Sequence, residues 1–216
     1  MPRKSIPTAA EFVPSSRNLK VLKAASLGCK GCDLYKHATQ TVFGLGDAKA
    51  RVMLVGEQPG DKEDLSGEPF VGPAGALLSR ALEEAGIDRQ QVYVTNAVKH
   101  FKFEMRGKKR IHKKPAAIEI GACRPWLDAE IEAVHPEIIV CLGATAAQAL
   151  LGKHVRVTRQ RGELLSSEIV SHLLATVHPS SILRAPDEES RRQEFASFVA
   201  DLKVVAKALR SHRRAA

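Results

Sequence analysis

The sequence predicts an α/β protein, a three-layer α/β/α sandwich on a short central parallel sheet, and two observations carry that expectation. Short apolar runs at residues 52–55, 92–98, 138–142 and 173–177 alternate with longer segments of helical apolar spacing, the pattern of strands joined by crossover helices. The runs also stop at residues that turn or expose the chain: Gly56-Glu57-Gln58-Pro59-Gly60 after the first, Thr95-Asn96 in the second, His178-Pro179-Ser180-Ser181 after the fourth. Ligands of an open α/β sheet bind beyond the carboxyl ends of its strands, so Glu57, Gln58 and Asp61 are expected at a crevice. An ordinary turn with solvated acids is the plainer reading of the same residues.

Length and composition narrow the class. A chain of 216 residues with 44% hydrophobic content can bury one sizeable core. We expect a disordered lead-in over residues 1–17, where Pro2, Pro7 and Pro14 interrupt small polar residues, one domain over 18–210, and a loose basic tail over 211–216. The formal net charge of +9, from 33 Lys and Arg against 24 Asp and Glu, favours a polyanionic partner. No run reaches the roughly 18 apolar residues of a membrane span and no apolar secretory segment follows Met1, so the expected location is cytoplasmic. Four cysteines are too few for a disulfide scaffold of this length.

In chain order, residues 19–25 suit a short helix, after which Cys29-Lys30-Gly31-Cys32 aims two thiols at one point. Zinc, a redox pair and two buried cysteines all fit such a spacing alone. Pro69-Phe70-Val71-Gly72-Pro73 leads into a helix whose Leu77, Leu78, Ala81, Leu82 and Ala85 share a face and which stops at Gly86. The Asn96 carboxamide is suited to a nucleobase edge, or simply to capping its loop. Residues 99–114, KHFKFEMRGKKRIHKK, set Phe101 and Phe103 among cations, which favours nucleic acid over a solvated flexible insertion.

Pro115 fits the first turn of a helix running to about residue 134, which holds Cys123. The strand over residues 138–142 holds Cys141, and Gly143 opens a small-residue helix. Four cysteines, two of them in a CxxC, point to a shared metal site or cluster, although a buried structural thiol is the plainer reading of Cys141. Residues 156–166 read as weaker strand material. His178 to Arg184 ends the fourth run with backbone and hydroxyl donors suited to phosphate, and Phe195, Phe198, Val199, Leu202, Val205 and Leu209 stripe the last helix.

Taken together, residues 19–209 resemble the family 4 uracil-DNA glycosylases, the iron-sulfur members of their superfamily. The resemblance rests on Thr41-Val42-Phe43-Gly44, the loop from Gly56 to Gly60, Glu68-Pro69-Phe70-Val71-Gly72-Pro73-Ala74-Gly75, Thr95-Asn96, the four cysteines, and His178 to Arg184. Two departures point to the UdgX subgroup, whose members bond irreversibly to uracil-containing DNA through a histidine. Gln58 stands where family 4 normally has alanine, and residues 102–114 add a basic insertion containing Arg110-Ile111-His112. Lys109 replaces the arginine expected there, and lysine lacks arginine's bidentate phosphate contacts.

The resemblance implies a monomer that acts on uracil-containing DNA, single strands preferred, and flips deoxyuridine into the crevice at a cost of about a few kcal/mol. It implies that Phe70 stacks on uracil, Asn96 reads its Watson-Crick edge, Gly60 and Asp61 contact the base through backbone groups, and His178 stabilises the developing oxyanion. His112 would take the place of water at C1′, with Glu57 accepting the proton on the other ring nitrogen, leaving a covalent adduct and about one turnover. The ordinary histidine pKa near 6.5 leaves the ring largely neutral, and surrounding cations are expected to lower it. Gln58, Asp61 and Arg110 would hold the loop, Lys109, Ser180, Ser181 and Arg184 would meet the DNA, and Ile182 or Leu183 would wedge into the gap. Cys29, Cys32, Cys123 and Cys141 would ligate a 4Fe-4S cluster with a folding rather than a redox role. A conventional turning-over family 4 enzyme and a non-catalytic uracil or single-strand binding module are the alternatives.

Overall fold

The computed structural model describes residues 8–152 and 155–215. The four expected strands form: β1 (Val52–Gly56), β2 (Val92–Asn96), β5 (Ile138–Leu142) and β7 (His172–Thr176). They lie in the order β2-β1-β5-β7 and pair in parallel throughout. The two-residue strand β6 (Leu164–Leu165) joins antiparallel at the edge, so the sheet is mostly rather than wholly parallel. The weak strand expected from residue 156 is instead a helical turn, α6 (Val157–Gln160), before β6. The chain leaves β1 for β2 on one side and later returns to β5 on the other. This topological switch opens the crevice beyond Gly56 and Leu142.

Alternation along the strands builds two cores. Val52, Leu54, Val92, Val94, Ile138 and Val140 face α3 (Pro73–Ala85) and the long α8 (Glu188–Ala215). Met53, Val55, Tyr93, Ile139 and Cys141 face α4 (Ala117–Val134) and α5 (Ala144–Leu151). Helix α8 runs to Ala215, so 211–215 continue the helix rather than forming a loose tail.

A further layer covers the outer side of α4. The expected disorder of residues 1–17 does not extend to Ala9–Phe12, a 3-10 turn whose Ala9 is buried; residues 1–7 lie outside the described residues. It packs with α1 (Leu19–Ser26), the CxxC turn, Cys123 and the fully buried Trp126, against which Phe43 sets its ring edge-on at 6.1 Å. Small apolar residues beside the prolines make this anchoring favourable, which composition alone obscured.

The basic insertion is a hairpin, not a flexible loop: β3 (Phe103–Arg106) pairs antiparallel with β4 (Lys109–His112). Gly107 supplies the positive φ of 60° that its two-residue turn requires. Among the described residues no helix is long and apolar enough to cross a membrane.

Candidate active site

The crevice is a cavity of about 680 Å³, lined among others by Glu57, Phe70, Asn96, His112, Thr145 and His178. Glu57, Asn96 and His178 come from the carboxyl end of a strand or the loop after it, Phe70 from the turn before α3, Thr145 from the first turn of α5, and His112 from the hairpin. Gly56 ends β1 without a side chain because a Cβ there would stand 2.3 Å from Asn96 Oδ1 and 2.9 Å from Phe70 Cζ. Phe70 itself is held at φ 59°, a strained conformation for an aromatic residue. Gly75 permits that turn, since a Cβ on it would meet the Phe70 carbonyl oxygen at 1.7 Å.

Asn96 is 3% exposed, yet its carboxamide has no hydrogen-bond partner among the described residues. Its backbone is fixed instead: the buried Lys99 ammonium donates to the Asn96 carbonyl at 2.7 Å and pairs with the fully buried Glu130. Glu130 also accepts from Tyr93, Thr95 and the Gly44 amide. A carboxamide with free donor and acceptor, on a rigid backbone inside a cavity, is equipped to read a planar amide such as a nucleobase edge.

His178 caps α7 (Pro179–Leu183), and its Nδ1 accepts the Ser180 amide at 3.2 Å. That bond requires Nδ1 to carry a lone pair, so the Ser180 hydroxyl, 2.8 Å away, also donates to it. The ring proton therefore sits on Nε2. Burial, with Arg184 and His112 adding to it, lowers the His178 pKa to about 4, leaving a neutral N–H donor at physiological pH. Its ring stands 6.2 Å from Phe70, inclined by 27°.

His112 ends β4 with Nε2 at 3.4 Å from Glu57 Oε1. Burial is the main cause that lowers its pKa, Glu57 opposes the shift, and among the surrounding cations Arg184 assists it. Gln58 fastens the base of the hairpin. Its amide donates to the carbonyls of Lys102 at 3.1 Å and Lys113 at 3.0 Å, and its carbonyl accepts the Lys102 amide at 3.1 Å. Arg110 pins the strand bearing His112: it bonds Asp64 at 2.6 Å and Asp61, and its guanidinium lies over Phe101 and Phe103.

Other expected residues sort themselves. The Asp61 carboxylate is committed to Arg110, and Asp61 does not line the cavity, whereas Gly60 does. Ser180 and Arg184 line the mouth, Ser181 turns its hydroxyl back to the His178 carbonyl, and Lys109 is exposed on the hairpin. Ile182 is fully buried in the core while Leu183 is 37% exposed, so of the two only Leu183 is open to solvent.

Two functional groups were missed. Thr145, in the first turn of α5, donates its hydroxyl to Glu57 Oε2. Glu63 accepts from the Gly60 amide at 3.1 Å and the Gly72 amide at 2.7 Å, joining the two glycine loops that flank the cavity. The signal for Glu63 was its place three residues after Gly60 at a helix start; nothing local marked Thr145.

The cysteines do not assemble as four. Cys29, Cys32 and Cys123 share the layer outside α4, where burial raises the thiols of Cys32 and Cys123, the latter to about 12. The Lys99 amide donates to Cys123 Sγ at 3.2 Å, the N–H···S bond that stabilises a ligating thiolate. Cys141 lies in the central strand β5 on the other side of α4, among Val55, Leu127 and Ala146, and burial alone raises its thiol to about 12. Three of the four expected ligands thus share one layer, and the fourth, Cys141, lies in another. Among the described residues, no group of three or more metal-binding side chains closes around a single ion.

Comparison with known proteins is consistent along most of the chain. The Type-4 uracil-DNA glycosylase of Thermotoga maritima is 39% identical over 165 residues, covering 76% of this chain and 82% of that protein. That of Archaeoglobus fulgidus is 35% identical, covering 79% and 84%, and that of Sulfurisphaera tokodaii is 34% identical, covering 88% and 87%. With the family model of the uracil DNA glycosylase superfamily matching residues 43–203, which span β1 to β7 and every side chain of the crevice, the chain belongs to that superfamily.

Proposed function

We propose that the protein is a uracil-DNA glycosylase of DNA repair that excises uracil and is captured through His112 at C1′ of the sugar it creates. The observation that carries this reading is the approach of His112 Nε2 to Glu57 Oε1, 3.4 Å, inside a cavity that also holds Phe70, Asn96 and His178. Uracil flipped into the cavity stacks on Phe70 and pairs with the open carboxamide of Asn96. As the glycosidic bond breaks, its electron pair leaves with uracil, and the neutral Nε2–H of His178 donates to the uracil oxygen that gains charge. One imidazole nitrogen of His112 then bonds C1′ of the oxocarbenium-like sugar. The proton of the other nitrogen passes to Glu57 and finally to the departed uracil, so the products are a protein-DNA adduct and free uracil.

Leu183 fills the gap in the strand, and Lys109, Ser180 and Arg184 meet the phosphates of a single-stranded substrate. The protein acts as a monomer. Cys29, Cys32 and Cys123 hold a 4Fe-4S cluster, which when bound ties the amino-terminal layer to α4. A second reading, a turning-over glycosylase, is favoured by Glu57 itself: a carboxylate held by Thr145 at the cavity would equally orient a water.

A denaturing gel separates these readings. Purified protein is mixed with labelled uracil-containing single strand, a thymine control, and a His112→Ala variant in parallel. A heat- and detergent-resistant band that needs both uracil and His112 supports capture. Alkali-labile sites without a band identify the turning-over enzyme, and neither signal leaves a binding module.

A further inference from the structure

We propose that Lys99 and Glu130, an ion pair buried between β2 and α4, are positioning residues for Asn96 that hold its side chain to the edge of the flipped base. The inference rests on the reading above that Asn96 meets the uracil edge, and it names what aims that side chain. β2 is the edge strand of the sheet, and its outer edge is covered at Val94 by a bridge to Leu45. Asn96, two residues further along an alternating backbone, faces the same edge. There its carbonyl meets the Lys99 ammonium at 2.7 Å instead of another strand. On the sheet side the next residue is fixed, the Ala97 amide donating to the Gly56 carbonyl at 2.9 Å. The residue that presents its carboxamide to the cavity is therefore held from both edges, and one of the two holds is a side chain.

The ammonium is fully committed. Its three donors go to the Asn96 carbonyl, to the Thr95 hydroxyl at 2.6 Å and to Glu130. Glu130 projects from α4 and accepts from the Tyr93 hydroxyl, the Gly44 amide and the Thr95 hydroxyl, each at 2.9 Å. Gly44 is where a side chain would break this arrangement, since a Cβ there would stand 2.4 Å from Glu130 Oε1 and 2.3 Å from the Tyr93 hydroxyl. The Phe43 ring lies 5.8 Å from the ammonium, and Thr95, Lys99 and Glu130 are all 0% exposed, so the network is sealed from water. Two charged side chains thus tie the Asn96 carbonyl to a helix that packs on the sheet.

Stability alone does not call for such a pair. Two charges taken out of water lose hydration that their attraction returns only when every donor and acceptor is satisfied, and apolar residues of similar volume often hold a fold as well. The neighbouring Trp126 and Leu127 of α4 already bury their side chains completely. What an apolar pair cannot do is grip a backbone carbonyl beyond the end of its ladder, and that grip falls on the one residue of β2 that lines the cavity through its side chain.

The test is a mutant cycle with Asn96, read as free uracil released from a labelled single strand in a single turnover, with thermal melting as the check on folding. Wild type is compared with Lys99→Met/Glu130→Leu, with Asn96→Ala and with the three substitutions together. The inference expects the apolar pair to fold and to release uracil at least about tenfold more slowly than wild type. In the Asn96→Ala background the same pair should slow release by less than about threefold, because residues that act through one another are not additive. A merely structural pair would multiply its full loss onto that of Asn96→Ala; that outcome, or a wild-type rate for the apolar pair, overturns the inference. Where the apolar pair does not fold, Thr95→Val takes its place in the cycle, since it removes one partner of the ammonium while keeping both charges and the shape of the side chain. Coupling of Thr95→Val to Asn96 upholds the positioning role, and additivity overturns it. A wild-type rate for Asn96→Ala would instead remove the base-reading role of Asn96 on which the inference rests.

Discussion

Thr145 holds one oxygen of the Glu57 carboxylate while the other faces His112 Nε2 at 3.4 Å. The carboxylate is thus oriented by a residue from the opposite side of the topological switch. Removing the hydroxyl in Thr145→Val keeps the side chain's shape and frees Glu57 to rotate. A lost charge-assisted hydrogen bond of about 1.5–3 kcal/mol predicts at least a tenfold slower reaction with uracil-containing DNA. Affinity for a non-cleavable deoxyuridine analogue should stay near wild type, and single-turnover kinetics with a binding assay checks both. Equal loss of rate and affinity would mean that Thr145 merely supports the fold.

Gln58→Ala removes three hydrogen bonds that hold the base of the β3–β4 hairpin. We expect hydrogen exchange across residues 103–112 to rise and adduct yield to fall, while His178 and Asn96 keep uracil excision going. Mass spectrometry of exchange beside the adduct gel reads the two effects separately. Unchanged exchange would place the rigidity of the hairpin in Arg110 and its acidic partners alone.

The reaction should be fastest above neutrality and slow as pH falls. Burial lowers the His112 pKa from 6.5, and the neutral ring is the nucleophile, so the acid limb of the rate profile should have a midpoint below 6.5. Glu57 raises that pKa, so Glu57→Gln should move the midpoint further toward acid as well as lowering the plateau. Stability follows the same sign through His178, whose pKa falls to about 4. Between pH 6.5 and 4 the unfolded chain protonates this group and the folded chain does not, so its contribution is complete above 6.5 and lost on the way down to 4. His178→Asn should flatten that part of the melting-temperature profile.

Neighbouring residues Ile182 and Leu183 should fail in different ways. Ile182→Ala empties a fully buried site in the core and should cost about 2–5 kcal/mol of stability in chemical denaturation. Leu183→Ala should leave stability within roughly 0.5 kcal/mol while slowing reaction on double strands more than on single strands. A Leu183 variant with no strand dependence would remove its role as the wedge.

Much of this architecture was legible because burial on both faces leaves an unmistakable mark: β1 and β5 are continuous apolar runs, and β7 has Leu173, Leu174 and Ala175 at its centre. The loops at their ends were legible for the complementary reason, since Pro59 and Pro179 have no amide N–H to continue a ladder. Which layer a cysteine occupies was harder. Cys141 alternates with Val140 along β5, so it shares a face with Ile139, but that α4 separates this face from Cys123 is a tertiary fact. The ordered hairpin was hidden by its composition, because the forces that hold it come from distant Gln58, Asp61 and Asp64. Thr145 was illegible for the same reason, being 88 residues from the carboxylate it orients.

The two ends of the hairpin insertion meet: the Lys113 amide donates to the Lys102 carbonyl at 2.9 Å. The arm that carries His112 therefore has a footprint one residue pair wide on the framework between β2 and α4. Such an appendage can be gained or shed without shifting the register of any sheet strand. A scaffold of the same superfamily that offered a glutamine at position 58 and carboxylates at 61 and 64 would already have the socket, and the nucleophile would be a transplant.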